Sequence, residues 1–64
     1  MRQTKAMQIA DARIDAAYRR TCCGIQIDIM AIPSIFAEGR RVIAAGADDT
    51  NLDVAIRNFV EGIR

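Results

Sequence analysis

The stretch TNLDVAIRNFVEGI, from Thr50 to Ile63, carries the clearest helical pattern in the chain. Its first four residues resemble a capping box, with Asp53 in place of the preferred Glu or Gln. The apolar positions then recur every three or four residues, as on one face of an α-helix; they are Leu52, Ala55, Ile56, Phe59, Val60 and Ile63. The pattern predicts a helix over about residues 51–63 with one buried face.

Acidic residues surround the predicted start of this helix. Asp48, Asp49 and Asp53 lie where the positive end of the helix dipole favours negative charge. Asp53 also precedes Arg57 by four positions, a spacing that predicts an ion pair along the helix. The cluster lacks the spacing of an EF-hand calcium loop. We therefore interpret it as a capped helix start rather than as a weak Ca²⁺ or Mg²⁺ site.

A second helical pattern covers about residues 3–21 and starts from its apolar stripe, which alternates steps of three and four: Met7, Ala10, Ile14, Ala17 and Thr21. Asp15 and Arg19 are placed for an ion pair along this helix. Arg19 and Arg20 fall in the last turn, where cations suit the helix dipole. Gly24 is a plausible stop signal.

A third pattern predicts a helix over about residues 34–45. Gly46 is placed as its C-terminal cap. Gly39 lies on the apolar stripe, although glycine costs about 1 kcal/mol in a helix interior relative to alanine. Its position indicates that another backbone crosses closely there. The stripe consists of Ile32, Ile35, Phe36, Gly39, Val42, Ile43 and Gly46.

The segment of residues 24–32 supports three interpretations. Its alternation of Ile25, Ile27 and Ile29 with polar residues is typical of a strand. Ile25, Ile29 and Ile32 also fit a helical stripe, and Pro33 favours the first turn of a following helix. Sequence alone leaves open a kinked helix, an extended or irregular segment, and a strand paired with a second subunit.

The chain has 64 residues, of which 52% are hydrophobic, and this length allows one domain, over residues 1–64. A domain of about 60 residues buries only about 60% of its unfolded surface, so support from a disulfide, a metal or another subunit is usual. Two adjacent cysteines make no disulfide framework. We therefore expect an all-α domain of two to three helices that is completed by homo-oligomerisation.

Targeting features are missing from the sequence. The longest run without charge, residues 29–37, is far shorter than the roughly 20 residues that a membrane span needs. The polar N-terminus does not resemble a signal peptide. We expect a cytoplasmic protein without membrane contact, in which Cys22 and Cys23 remain thiols.

The sequence contains few residues in arrangements that suit catalysis or cofactor binding. The chain has no histidine, which excludes Cys-His and Ser-His sites and, with two cysteines, a four-ligand zinc site within one chain. The glycines match no nucleotide-binding motif. Cys22 and Cys23 do not form a C-x-x-C redox motif, so we expect one to pack as a small apolar residue. We expect no enzyme activity, no cofactor and no metal.

The candidate binding residues are Tyr18 and two arginine pairs, Arg19-Arg20 and Arg40-Arg41. Arginine is suited to bidentate contacts with carboxylates or phosphates. Charge is uneven along the chain: residues 1–21 carry five cations and two anions, a net +3, and residues 47–64 carry two cations and four anions, a net −2. The overall charge of +1 is low for a nucleic-acid-binding domain.

Two functions follow as expectations. The first is a non-catalytic binding protein that acts as a regulator, inhibitor or adaptor of another protein, a size class typical of phage and plasmid accessory proteins. The alternative is an oligomer that binds a phosphorylated small ligand or nucleic acid through the arginine pairs.

Overall fold

A computed structural model describes residues 4–64, which fold into three α-helices. α1 spans Lys5–Thr21, α2 spans Ile32–Ala44 and α3 spans Asp49–Ile63, and a 3₁₀ turn at Ile29–Ala31 leads into α2. Each α-helix packs against the other two. The expectation of a small all-α domain is confirmed, with three helices and, within residues 4–64, no strand.

Thr4 is the N-cap of α1, and its hydroxyl oxygen accepts a hydrogen bond from the backbone N–H of Met7 at 3.1 Å. A threonine in this position satisfies one of the otherwise unpaired N–H groups of a first helical turn. The predicted start at Gln3 lies outside the described residues. The predicted end at Thr21 is confirmed. A turn follows it, in which the N–H of Ile25 donates to the carbonyl of Cys22.

The ambiguous segment is irregular at residues 25–28 and helical only from Ile29 onward. The Asp28 carboxylate accepts a hydrogen bond from the N–H of Met30 at 2.9 Å and so starts the 3₁₀ turn. α2 follows without a break and begins at Ile32, two residues before the predicted start. Pro33 lies in its first turn, where a missing N–H costs no helical hydrogen bond.

α3 begins at Asp49, and its N-cap is Asp48, so the predicted capping box at Thr50 is wrong. Asp48 has the extended backbone that an N-cap requires, and its carboxylate accepts from the N–H of Asn51 at 2.8 Å. Thr50 is already inside the first helical turn. The predicted helix therefore starts two residues too late.

The predicted ion pair between Asp53 and Arg57 is also wrong. Asp53 instead accepts hydrogen bonds from Arg20 of α1. Arg57 pairs with Glu61 at 3.0 Å and donates to the carbonyl of Thr21 at 2.7 Å. The four-residue spacing allows Arg57 to pair with either Asp53 or Glu61. Because α3 packs beside α1, Asp53 also meets Arg20, a partner that the spacing rule does not include.

The core is small and consists of Cys22 and a few positions of each predicted stripe. Two stripe ends remain open to solvent, since Met7 is 40% exposed and Ile63 is 43% exposed, whereas Leu52 at the start of its stripe is fully buried. Since the helices are short, they cover one another only near their crossing points. The buried residues are Ile14, Ala17, Cys22, Ile35, Gly39, Leu52, Ile56 and Val60.

α2 packs tightly against α1 at Gly39. A Cβ atom added at Gly39 would lie 2.5 Å from Cγ1 and 2.7 Å from Cδ1 of Ile14. The prediction of a close approach is confirmed, but a side chain of α1 fills the space rather than a crossing backbone. Because Gly39 has no side chain, the Ile14 side chain of α1 fits against the backbone of α2.

The end of α2 confirms Gly46 as its capping residue. Gly46 has a φ of +97°, a conformation that residues with a Cβ rarely adopt. Its N–H bonds the carbonyl of Ile43 at 2.9 Å, and the N–H of Ala47 bonds that of Val42 at 3.0 Å. These two bonds define a Schellman motif. The motif ends α2 and turns the chain toward α3.

Candidate functional site: an apolar face and an outer groove

Two of the predicted arginines join helices to one another. Arg20 of α1 makes two hydrogen bonds to Asp53 of α3, at 2.7 and 3.1 Å. Arg40 of α2 makes two to Asp11 of α1, at 2.8 and 2.9 Å. Bidentate pairing of this kind matches the planar guanidinium to the carboxylate. Both arginines therefore stabilise contacts between helices.

The other two arginines pair within their own helices. Arg19 lies 2.9 Å from Asp15, which confirms the predicted pair. Arg41 makes two hydrogen bonds to Glu38. The four guanidinium groups thus hold four separate carboxylates. The structure does not bring the two predicted arginine pairs together into one anion site.

These contacts shift the pKa of several groups in the direction that favours charge. Hydrogen bonds from Arg20 lower the pKa of Asp53, and hydrogen bonds from Arg41 lower the pKa of Glu38. The same bonds raise the pKa of Arg20 and Arg41, and the bond to Asp11 raises that of Arg40. For the Arg20–Asp53 and Arg41–Glu38 pairs, the shifts of both partners favour the ionised pair at neutral pH.

Tyr18, the fifth predicted site residue, lies away from any cluster of arginines. It lines a cleft of about 110 Å³ between α1 and α2, together with Asp15, Ile32, Ile35 and Phe36. Arg40 touches the outer edge of this region, since its guanidinium carbon lies 5.9 Å from the centre of the Phe36 ring. The walls are largely apolar, so the cleft suits an apolar side chain better than a phosphate.

The cleft opens onto the irregular segment before α2. Tyr18 and Ile32 also line a wide, shallow depression whose remaining walls are residues 25–29. Ile29 is 75% exposed and Met30 is 79% exposed, which makes them the most exposed large apolar side chains in the described part of the chain. We name this surface the apolar face; it comprises Tyr18, Ile25, Ile27, Ile29, Met30, Ile32 and Phe36.

The sequence contained a signal for part of this surface. The alternation of Ile25, Ile27 and Ile29 marks an apolar segment, but it does not distinguish a secondary-structure signal from an exposed surface. Exposure of Ile29 and Met30 follows from the cap at Asp28, which turns the chain so that both side chains leave the core. Hydrophobic spacing alone contains no information about that turn.

A second surface, which we name the outer groove, runs along α1 beside the start of α3. Ile9 is 55% exposed there, and Arg20 lies at its other end. Next to Arg20, a shallow depression continues over Val54 of α3, which is 54% exposed. Arg13 of α1 links to the start of α3: it donates hydrogen bonds to the Asp49 carboxylate at 3.2 Å and to the carbonyl of Ala47 at 3.0 Å. The outer groove therefore includes Ile9, Ala12, Arg13, Ala16, Arg20 and Asp49 and, in its continuation past Arg20, Asp53 and Val54.

The two cysteines differ in environment. Cys22 is 1% exposed and packs in the core, as expected for one member of the pair, whereas Cys23 is exposed. Both are free thiols. Within residues 4–64, no group of three or more Cys, Asp or Glu side chains is arranged to hold a metal ion. No helix in this described range is long and apolar enough to cross a membrane.

Comparisons with protein-family models, with curated proteins and with solved structures find no match to this chain.

Proposed function

We propose that the chain is a non-catalytic, cytoplasmic binding protein that works as a homo-oligomer and acts as a regulator, inhibitor or adaptor of another protein. The observation that supports this most is the apolar face, where Ile29 and Met30 are largely exposed and Ile29 lines the depression that adjoins the apolar cleft. A small domain that leaves such a surface uncovered has an interface for a macromolecule.

The outer groove is the surface we assign to the other protein. It combines two exposed apolar side chains, Ile9 and Val54, with fixed charges between them. Arg20 and Asp53 hold each other at the centre, so a partner meets an ordered pair of opposite charges rather than mobile side chains. Ordered charges contribute mainly to the specificity and rate of association.

The alternative, a phosphorylated ligand or nucleic acid bound through the arginine pairs, is the weaker proposal. Arg19, Arg20, Arg40 and Arg41 each already bind a carboxylate. A phosphate has to displace these carboxylates and, at Arg20 or Arg40, to open a contact between helices. Their arrangement therefore favours stability of the fold over capture of an anion.

Site-specific photo-cross-linking in living cells tests the assignment. A photoreactive residue is placed at Ile9 or Val54, in the outer groove, and as a control at Ala44, which is exposed on α2. We expect one protein to cross-link from positions 9 and 54 and not from 44. Equal capture of the same mixture of proteins from all three positions would contradict the proposal.

A charge swap provides the matched variant. Exchanging the two members of the central pair, Arg20→Asp with Asp53→Arg, keeps an attraction between α1 and α3 but inverts the charges that a partner meets. Circular dichroism is expected to show an unchanged fold, while the cross-link from position 9 is lost. A cross-link that survives the swap would show that the partner does not recognise this pair.

A further inference from the structure

We propose that the apolar face is the interface of a two-fold symmetric dimer, in which Met30 of each copy enters the cleft beside Tyr18 of the other. The inference rests on the proposed function in one respect, that the chain works as a homo-oligomer. It adds the surface, the symmetry and the contact that form the oligomer.

The shape of the face is self-complementary. In its projecting part, Ile29 lines the depression that shares Tyr18 and Ile32 with the cleft, and Met30 follows Ile29 in the same 3₁₀ turn; the cleft is its concave part. In a two-fold interface the same patch meets itself, so a projection and a recess on one patch fill each other twice. A second copy of this chain supplies both matching shapes without any further partner.

The size of the cleft agrees with a single side chain. Its volume is about 110 Å³. A cavity of roughly 150 Å³ in a protein core holds a benzene molecule. An isoleucine or methionine side chain is of that scale, and Met30 has the unbranched, flexible shape that fits irregular apolar gaps. Met30 is also the most exposed large apolar residue of the described range, at 79%.

The area of the face is what a weak dimer requires. A large apolar residue presents roughly 200 Å² when fully exposed. Exposed fractions of 75% for Ile29, 79% for Met30 and 39% for Ile32 therefore give about 400 Å² per copy. The half-buried residues raise this to about 500–600 Å², so two copies bury about 1,000–1,200 Å², the lower end of specific interfaces.

The charges that line the face are compatible with its closure only at the rim. Asp15 pairs with Arg19 at 2.9 Å, whereas the exposed Asp28 accepts a hydrogen bond from the N–H of Met30 at 2.9 Å and keeps its charge in contact with solvent. Burial of an unpaired charge opposes association strongly, whereas a paired one at the rim costs little. The polar groups of the face are therefore compatible with its closure when they lie at the rim.

Sedimentation equilibrium over a concentration series, with reductant present to exclude disulfides through Cys23, measures the dimer. We expect wild type to pass from monomer to dimer in the micromolar range, and Met30→Asp to weaken association at least tenfold. Met30 is largely exposed, so circular dichroism is expected to show a folded variant. Met7→Asp, the same substitution at a 40% exposed methionine outside both named surfaces, keeps the wild-type affinity.

The contact itself is read by isotope-filtered NMR on a mixture of labelled and unlabelled chains. The expected signal is a cross-peak between the Met30 methyl group of one copy and the Tyr18 ring of the other. Tyr18 is the single tyrosine and the chain has no tryptophan, so its fluorescence follows the same event. A wild type that stays monomeric up to about 1 mM, the weak end of measurable affinities, or a dimer that Met30→Asp leaves intact, overturns the inference.

These results are separable from those of cross-linking. A protein partner captured from the outer groove by a chain that stays monomeric removes the dimer and the oligomeric part of the proposed function, but keeps the binding role. A dimer with the Met30–Tyr18 contact and no captured partner confirms the interface and leaves the regulatory role contradicted.

Discussion

Ile14 occupies the space that any side chain at residue 39 would need. A Cβ atom at Gly39 would lie within 2.5–3.1 Å of three Ile14 side-chain carbons, and Ile14 is fully buried. A β-branched side chain in a helix has essentially one χ1 rotamer, so Ile14 has little freedom to move away. Gly39 and Ile14 together set the distance between α1 and α2.

Gly39→Ala is therefore expected to destabilise the fold. Overpacking costs about 1–3 kcal/mol, and the better helix propensity of alanine returns up to about 1 kcal/mol. We expect the free energy of unfolding, measured in urea, to fall by about 1–2 kcal/mol.

Two controls separate this clash from a general effect of the substitution. In an Ile14→Ala background the obstructing atoms are gone, so Gly39→Ala should become neutral or stabilising. Gly62→Ala places a Cβ in open space and should stabilise α3 slightly. Equal effects of Gly39→Ala in both backgrounds would show that Ile14 is not the obstacle.

The N-cap of α3 gives a second prediction. Asp48→Ala removes the acceptor for the Asn51 N–H and is expected to lower the free energy of unfolding by about 0.5–2 kcal/mol. Thr50→Ala changes the residue that the sequence pattern favoured as the cap, and should have little effect. Thermal denaturation of both variants decides between the two positions; a larger loss at Thr50 would refute the cap at Asp48.

The pair of Arg20 and Asp53 predicts a specific acid sensitivity. The pKa of Asp53 lies below its ordinary value of 3.8 in the folded chain because Arg20 donates hydrogen bonds to the carboxylate. A lowered folded pKa contributes stability that is complete above the ordinary value and is lost as pH falls through the folded value. We expect wild type to exceed Asp53→Asn in melting temperature by a constant amount near neutral pH.

That difference should shrink below about pH 4, where carboxylates begin to protonate. Glu38, whose pKa is lowered by Arg41, destabilises both chains over the same pH range and therefore cancels from the difference. The measurement is the melting temperature of both chains from neutral pH to about pH 2. A difference independent of pH, or an NMR titration of Asp53 at or above 3.8, would contradict the assignment.

The two thiols predict two rates of modification. Cys23 is exposed and should react at once with a thiol reagent in the folded protein, whereas Cys22 is 1% exposed and should react only through opening of the core. Stopped-flow labelling is expected to show one fast thiol, which Cys23→Ser removes. Denaturant should make both thiols fast; two fast phases without denaturant would show that Cys22 is not packed.

A phosphate screen tests the occupied arginines. A ligand that binds only the folded state at 100 times its dissociation constant adds about 2.7 kcal/mol, which a melting curve detects easily. We expect inorganic phosphate and nucleotides to leave the melting temperature unchanged at constant ionic strength. A shift that disappears in Arg19→Ala or Arg41→Ala, whose pairs lie within single helices, would instead support the alternative function.

Local rules were sufficient for the helices and for several of their ends. The apolar stripes predicted three helices because a residue's position on a 3.6-residue turn depends only on its neighbours in sequence. For the same reason the Asp15–Arg19 pair and the glycine cap at Gly46 were predictable. The rule failed at Asp53, because α1 packs beside α3 and supplies Arg20, a partner distant in sequence, while Arg57 pairs with Glu61 at the same four-residue spacing.

The sequence by itself determined an all-α chain with short amphipathic helices and no histidine. Tertiary structure decided what its side chains meet: it assigned Arg20 and Arg40 to carboxylates of other helices, placed Ile14 against Gly39, and left Ile29 and Met30 in solvent. The physical reason is range. Helix formation follows from neighbours along the chain, whereas burial and ion pairing depend on distances that exist only after three helices have packed.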